Sequence, residues 1–175
     1  MSFEACDLRI PVNLSLSGSA SLFLTGATVF EDSTVFSTPT FISNEVEFEQ
    51  YSSITKTGTG IDQSPGPITS GADIHFVNTG SGSIYLEGDY GDEYQDVYLS
   101  NEGSGSIAFA RRGTGNVVHG VFDVTCLSGV FYAGVNATSQ ALSLEGSTTN
   151  ALFKRGQHHC KNSGAVQVAL LQLIL

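Results

Sequence analysis

Short stretches of alternating apolar and polar residues run along this chain, broken every few residues by Gly, Ser, Thr, Asn or Pro. That period of two is the mark of a strand with one buried face, and Ala- or Leu-rich helical stretches are scarce. The pattern is clearest where the chain repeats itself. Asp73-Ile-His-Phe-Val-Asn-Thr-Gly-Ser-Gly-Ser-Ile-Tyr-Leu86 aligns without gaps on Asp96-Val-Tyr-Leu-Ser-Asn-Glu-Gly-Ser-Gly-Ser-Ile-Ala-Phe109. Seven of the fourteen positions are identical, three more exchange one apolar residue for another, and the offset is 23. In each copy a strand-like run leads into Gly-Ser-Gly-Ser and a second run follows. Ile74, Phe76, Ile84 and Leu86 should share the buried side, and the glycines should supply the positive φ of a sharp turn, with Ser and Asn capping free backbone groups.

Two all-β architectures satisfy the repeat. Each unit of about 23 residues could be one coil of a parallel β-solenoid, or the unit could be a hairpin within a β-sandwich or jelly roll. The spacing Gly58, Gly80, Gly103 favours stacked coils in the middle of the chain, whereas irregular spacing before 58 and after 110 favours the sandwich. The 175 residues suit one domain (1–175), with Ser64-Pro-Gly-Pro67 as the best boundary candidate. The apolar run 165–175 reads as a terminal strand or short helix packed in its own core or another subunit.

Composition adds few charges (14%) and a net charge of −10, unevenly placed. Residues 1–110 hold 15 acids against Arg9 and Lys56, and five of the seven basic residues follow. Such a surface disfavours nucleic acid, since affinity for phosphate rests on clustered Lys and Arg. The asymmetry could serve packing between copies. Cys6, Cys126 and Cys160 lack the spacing of a zinc site or a disulfide framework. The acidic N-terminus does not read as a signal peptide, and no apolar run is long enough to span a bilayer.

Chemistry-bearing candidates are sparse. The segment 87–96 places Glu87, Asp89, Asp92, Glu93 and Asp96 beside Tyr90 and Tyr94. It reads first as a solvated acidic loop, and is the best, though weak, candidate for calcium. With Tyr85, Tyr90 and Tyr94 as contact surface, it is also the candidate for a glycan. Glu45, Glu47 and Glu49 share a strand face and read as solvated. His158-His-Cys160 has no further ligand at zinc spacing. His75 and His119 lie in strand-like runs as packed or surface residues. The Gly-Ser-Gly-Ser turns lack the Lys of a phosphate loop, and no nucleophile elbow is present. No catalytic residue or cofactor is assigned.

Repeated Asn-x-Gly-Ser-Gly-Ser-Ile units, few charges, no catalytic motif and an apolar C-terminal run resemble the virion structural proteins of tailed bacteriophages. The resemblance is one of style and covers mainly residues 73–109. It implies a non-enzymatic protein of the virion, assembled in the host cytoplasm. In that class, β-rich chains form homotrimers that decorate and cement a capsid shell, with a fibre, spike or carbohydrate- or receptor-binding module as the alternative. Its implied partners are copies of itself and a major capsid or other virion protein, with no membrane and no nucleic acid.

Overall fold

The computed structural model describes residues 1–134 and 142–145, together with the backbone of the strands Thr149–Phe153, Lys161–Asn162, Val166–Val168 and Gln172–Ile174. It is an all-β solenoid of about six turns, with every strand pair parallel. No helix among the described residues is long and apolar enough to cross a membrane.

Each turn presents three faces in order. The first carries the strands Ser2–Glu4, Ser21–Thr25 and Thr40–Ser43 in one sheet, then Ile61–Ser64, Ser83–Leu86, Ser106–Phe109, Val130–Ala133 and Lys161–Asn162 in another. At the seam between these sheets, the side chains of Asp62 and Ser64 accept the amides of Phe41 (2.8 Å) and Ser43 (3.1 Å) in place of a backbone ladder. The second and third faces belong to one fourteen-stranded sheet, joined through the long strands Ile68–Asn78 and Glu93–Asn101. A register shift between Ser70 and Asp73 marks the bend within the first of these.

The repeat is therefore a coil and not a hairpin. Ile74 pairs with Val97, Phe76 with Leu99 and Asn78 with Asn101, all at the offset of 23 seen in the sequence. The runs 73–78 and 83–86 lie on successive faces of one coil. The solenoid also continues outside the middle, where spacing had favoured a sandwich. Its coils tolerate unequal lengths, from 18 residues (Thr34 to Ser52) to 29 (Tyr132 to Lys161). Ser64–Pro67 is a corner, with a cis Gly66–Pro67 bond, and one apolar cluster runs past it on both sides.

Ile74, Phe76, Ile84 and Leu86 are all buried, as the alternation requires. Stacked coils place like side chains above one another at the strand spacing of about 4.8 Å, so the interior becomes columns of rings. Phe30 lies flat on Phe48 with centroids 5.2 Å apart, and Phe41, Phe76, Tyr94, Phe109, Phe122 and Phe131 follow one another through the upper coils. Each buried Phe contributes about 1.5–3 kcal/mol in transfer free energy, which makes these columns the main stabilising term.

The turn glycines have a different role from the one their sequence suggested. Gly80, Gly82, Gly103 and Gly105 do not occupy positive φ. Instead, a Cβ on Gly82 would run into the carbonyl of Gly60 one coil below, and one on Gly105 into that of Gly82. Close approach of stacked turns, not turn geometry, requires glycine here. Asn78 and Asn101 complete the corner: each donates through Nδ2 to the carbonyl four residues on, Gly82 and Gly105 respectively, both at 3.0 Å. Asn78 also donates to Asn101 Oδ1 at 3.0 Å, linking the two coils.

This contrast is testable by chemical denaturation. Gly82→Ala should lower stability by about 1–3 kcal/mol, the usual cost of overpacking. Gly60→Ala meets open space at an ordinary φ and should stay within about 0.5 kcal/mol of the parent. Equal effects would contradict the close-approach account.

Candidate functional site

The acidic segment 87–96 is the first place to look for a site, and the fold disperses it. Glu87 is fully buried and binds Arg111 Nη1 at 2.6 Å and Arg112 Nε at 2.7 Å, both from the next coil. Arg111 in turn lies 4.6 Å over the ring of Tyr85. Asp89 reaches Arg112 only at 3.7 Å. Asp96 accepts the amide of Val121, and Glu93 bonds His119. The five carboxylates do not converge, and no three His, Cys, Asp or Glu side chains among the described residues are gathered to hold a metal. Tyr90 is exposed, but Tyr94 is fully buried, so the three tyrosines form no common contact surface. Nor is the loop simply solvated, because Glu87 and Asp92 lie inside.

Asp92 and Tyr94 make an interior device. Asp92 Oδ1 accepts the amide of Ile68 one coil below at 2.9 Å, and Oδ2 accepts the Tyr94 hydroxyl at 2.9 Å. The Asp92 amide donates to Asn116 Oδ1 of the coil above. Burial pushes the Asp92 carboxyl up to about 6, against the lowering effect of its two donors. The Tyr94 phenol is driven well above its usual range by burial and by the Asp92 charge.

Lys56 is the other surprise. It stands between Thr38 and Asn78 in the column that continues through Asn101, and it is fully buried. Its ammonium donates to Pro39 O at 2.9 Å and to Asp62 Oδ2 at 2.7 Å. Burial raises the Asp62 carboxyl, while Lys56 and the Phe41 amide pull it down. Removing one partner of such a buried pair costs about 3–5 kcal/mol. Asp62, Glu87 and Asp92 thus each tie one coil to the next, through a neighbouring coil's amide or guanidinium groups.

On the outside, Glu45, Glu47 and Glu49 are exposed while Val46 and Phe48 point inward, as the alternation indicated. His119 sits on the same face, with Nδ1 2.8 Å from Glu145 and Nε2 3.0 Å from Glu93. Those two hydrogen bonds raise its pKa. His158-His-Cys160 lies outside the described residues, as do the side chains of 165–175, although backbone strands form at Val166–Val168 and Gln172–Ile174.

The third face carries an exterior arrangement that combines stacked aromatic rings with carboxylates. His75 and Tyr98 occupy the same register on adjacent coils, and their rings stack at 4.5 Å with planes 10° apart. Tyr51 extends the column below, 5.3 Å from His75. Asp123 takes the next register position above Tyr98. A groove of about 270 Å³ opens there, lined by Tyr98, Ser100, Glu102, Asp123, Thr125 and Leu127 among others. Burial lowers the pKa of His75 and raises that of Asp123. This arrangement escaped the sequence reading, although the alignment of Asp73-Ile-His75 on Asp96-Val-Tyr98 places the two rings in register once parallel stacking is known.

The interior carboxyl yields a pH test. A raised Asp92 pKa means that the folded state holds the proton more tightly than the unfolded chain. Its stability contribution is complete below the ordinary value of 3.8 and is lost as pH rises through about 6. Asn in its place keeps an acceptor for Ile68 and can donate to the Tyr94 hydroxyl. Asp92→Asn should therefore match the parent near pH 3.5 and exceed it by up to about 3 kcal/mol at pH 7. A stability difference that does not vary with pH would refute the buried, proton-holding carboxyl.

A scan of family models found no match to this chain, and comparison with curated proteins and with solved structures found none either.

Proposed function

We propose that the chain is a non-enzymatic structural protein that associates as homotrimers in a larger particle, in keeping with its resemblance to bacteriophage virion proteins. Within that class the parallel solenoid suits a fibre or spike element, since its coils add along one axis. A cement protein of the capsid shell is the second form of the same reading.

The observation that carries the proposal is the division of charge between faces. From Ser21 to Tyr132, the outward positions of the first face are Ser21, Phe23, Thr25, Thr40, Ile42, Ile61, Gln63, Ser83, Tyr85, Ser106, Ala108, Val130 and Tyr132, of which Ser83 and Ala108 are covered by their surroundings. None of these is charged, in a chain of net charge −10; the charges on this face are Glu4, exposed in the first coil below Thr25, and the Arg111 guanidinium lying over the Tyr85 ring. Phe23 (38%) and Ile61 (61%) stand exposed on this face. The second and third faces carry Glu47, Glu49, Glu93, Asp73, Asp96 and Asp123. Two such chains approaching by their acidic faces would repel, and the charge-poor first face is where copies meet at least electrostatic cost. The use of Lys56, Glu87 and Asp92 as struts between coils fits a protein built for rigidity.

Light scattering coupled to size exclusion tests the assembly. The mass should be three times 18.4 kDa, and Ile61→Glu combined with Phe23→Glu should reduce it to that of one chain. A parent protein that runs as a soluble monomer at high concentration would overturn the proposal.

A further inference from the structure

We propose that the groove beside Tyr98 on the third face binds a guanidinium group, held flat on the Tyr98 ring and paired with Asp123. The exterior column Tyr51, His75, Tyr98 climbs one ring per coil and then stops. The next position in register holds Asp123, a short carboxylate in place of a ring. The result is a missing rung: Tyr98 is packed on His75, no ring follows it, and His75, Tyr98 and Asp123 all line the groove of about 270 Å³.

The chemistry around that space is one-sided. Asp123 and Glu102 line it, and Asp73 and Asp96 lie close enough to Tyr98 that, with Asp123 and burial, they raise its phenol pKa. No lysine or arginine stands among the described outward positions of this face. Burial lowers the pKa of His75, which disfavours its charged form. Asp123 has no hydrogen-bond or ion-pair partner among the described residues, and burial alone accounts for its raised pKa. Val77 and Leu127 add apolar wall, and Ser100 and Thr125 add hydroxyls.

A planar cation answers each of these features. It stacks on an aromatic face, accepts the ring quadrupole's attraction and presents paired N–H donors to a carboxylate. An ammonium matches the charge but neither the plane nor the paired donors. A neutral sugar could use the ring and the hydroxyls, yet would leave the field of the carboxylates unanswered. The groove is large enough for the headgroup and the first methylenes of its stem. The guanidinium could come from a free small molecule or from an arginine side chain of a partner protein.

The test is an NMR titration of the intact protein with agmatine and, separately, with the peptide Gly-Arg-Gly, following the Tyr98 ring protons and the amides of Asp123 and Thr125. Saturable shifts confined to this groove are expected, with millimolar affinity. Asp123→Asn and Tyr98→Leu should each weaken binding about tenfold, with unchanged circular dichroism confirming that the variants fold. Comparable affinity for both probes points to a free ligand, and clearly tighter binding of the peptide points to a protein arginine. Methylammonium binding as well as agmatine would overturn the planar-cation assignment, as would methyl glucoside saturating the same shifts. Agmatine shifts that survive Asp123→Asn undiminished, or no saturable shift with either probe, would remove the site.

Discussion

At the corner between the third and first faces, the α-carbons of one coil rest against the carbonyl oxygens of the coil below. Gly82 sits on Gly60, Gly105 on Gly82 and Gly129 on Gly105, each so close that no side chain fits between. This contact fixes the vertical repeat of the solenoid. With the turns seated, the parallel ladders run at their ordinary spacing and the Phe columns come into ring-to-ring contact. Asn78 and Asn101 then bind the turn carbonyls that the ladders leave free. Bulk at these glycines would lift one coil off another and loosen every column that passes through it.

The same demand explains the placement of ionisable groups. A solenoid coil has no hairpin partner, so polar groups at corners and seams need partners from adjacent coils. Asp62 meets that need for the Phe41 amide, Asp92 for the Ile68 amide and Asn116 for the Asp92 amide. Buried carboxylates are expensive, and the chain compensates two of them with cations, Lys56 for Asp62 and the Arg111–Arg112 pair for Glu87. Asp92 has only neutral donors and answers by holding its proton more tightly. Glu87 with Arg111 and Arg112 thereby joins the acidic first part to the basic second part within one molecule.

Residues 73–109 were readable because two consecutive coils keep the same spacing from strand through corner to strand there, and the same Asn and Gly-Ser-Gly-Ser corner. The register of Asn78 on Asn101 is visible directly as the offset of 23. Elsewhere the strands showed their alternation, but coils of 18 to 29 residues hide the stacking, since nothing local to a strand states which strand lies beneath it. The site was less legible for the same reason. Glu87 and Asp92 belong to what looks like a solvated acidic run, and only their partners 24 residues away make them interior. Tyr94 was assigned to the surface beside its acidic neighbours, yet the alternation Glu93, Tyr94, Gln95 already placed it opposite them. The Tyr98–Asp123 groove depends wholly on a register between distant strands.

The central claim is that copies of the repeat stack in parallel, one coil apart, through their glycine corners. Long-range nuclear Overhauser contacts measure this most directly. The account predicts backbone contacts at an offset of 23 between 74–78 and 97–101, including Phe76 with Leu99 and Asn78 with Asn101. Antiparallel contacts between 73–78 and 83–86, with Phe76 opposite Leu86 or Ile84, would show a hairpin and contradict it.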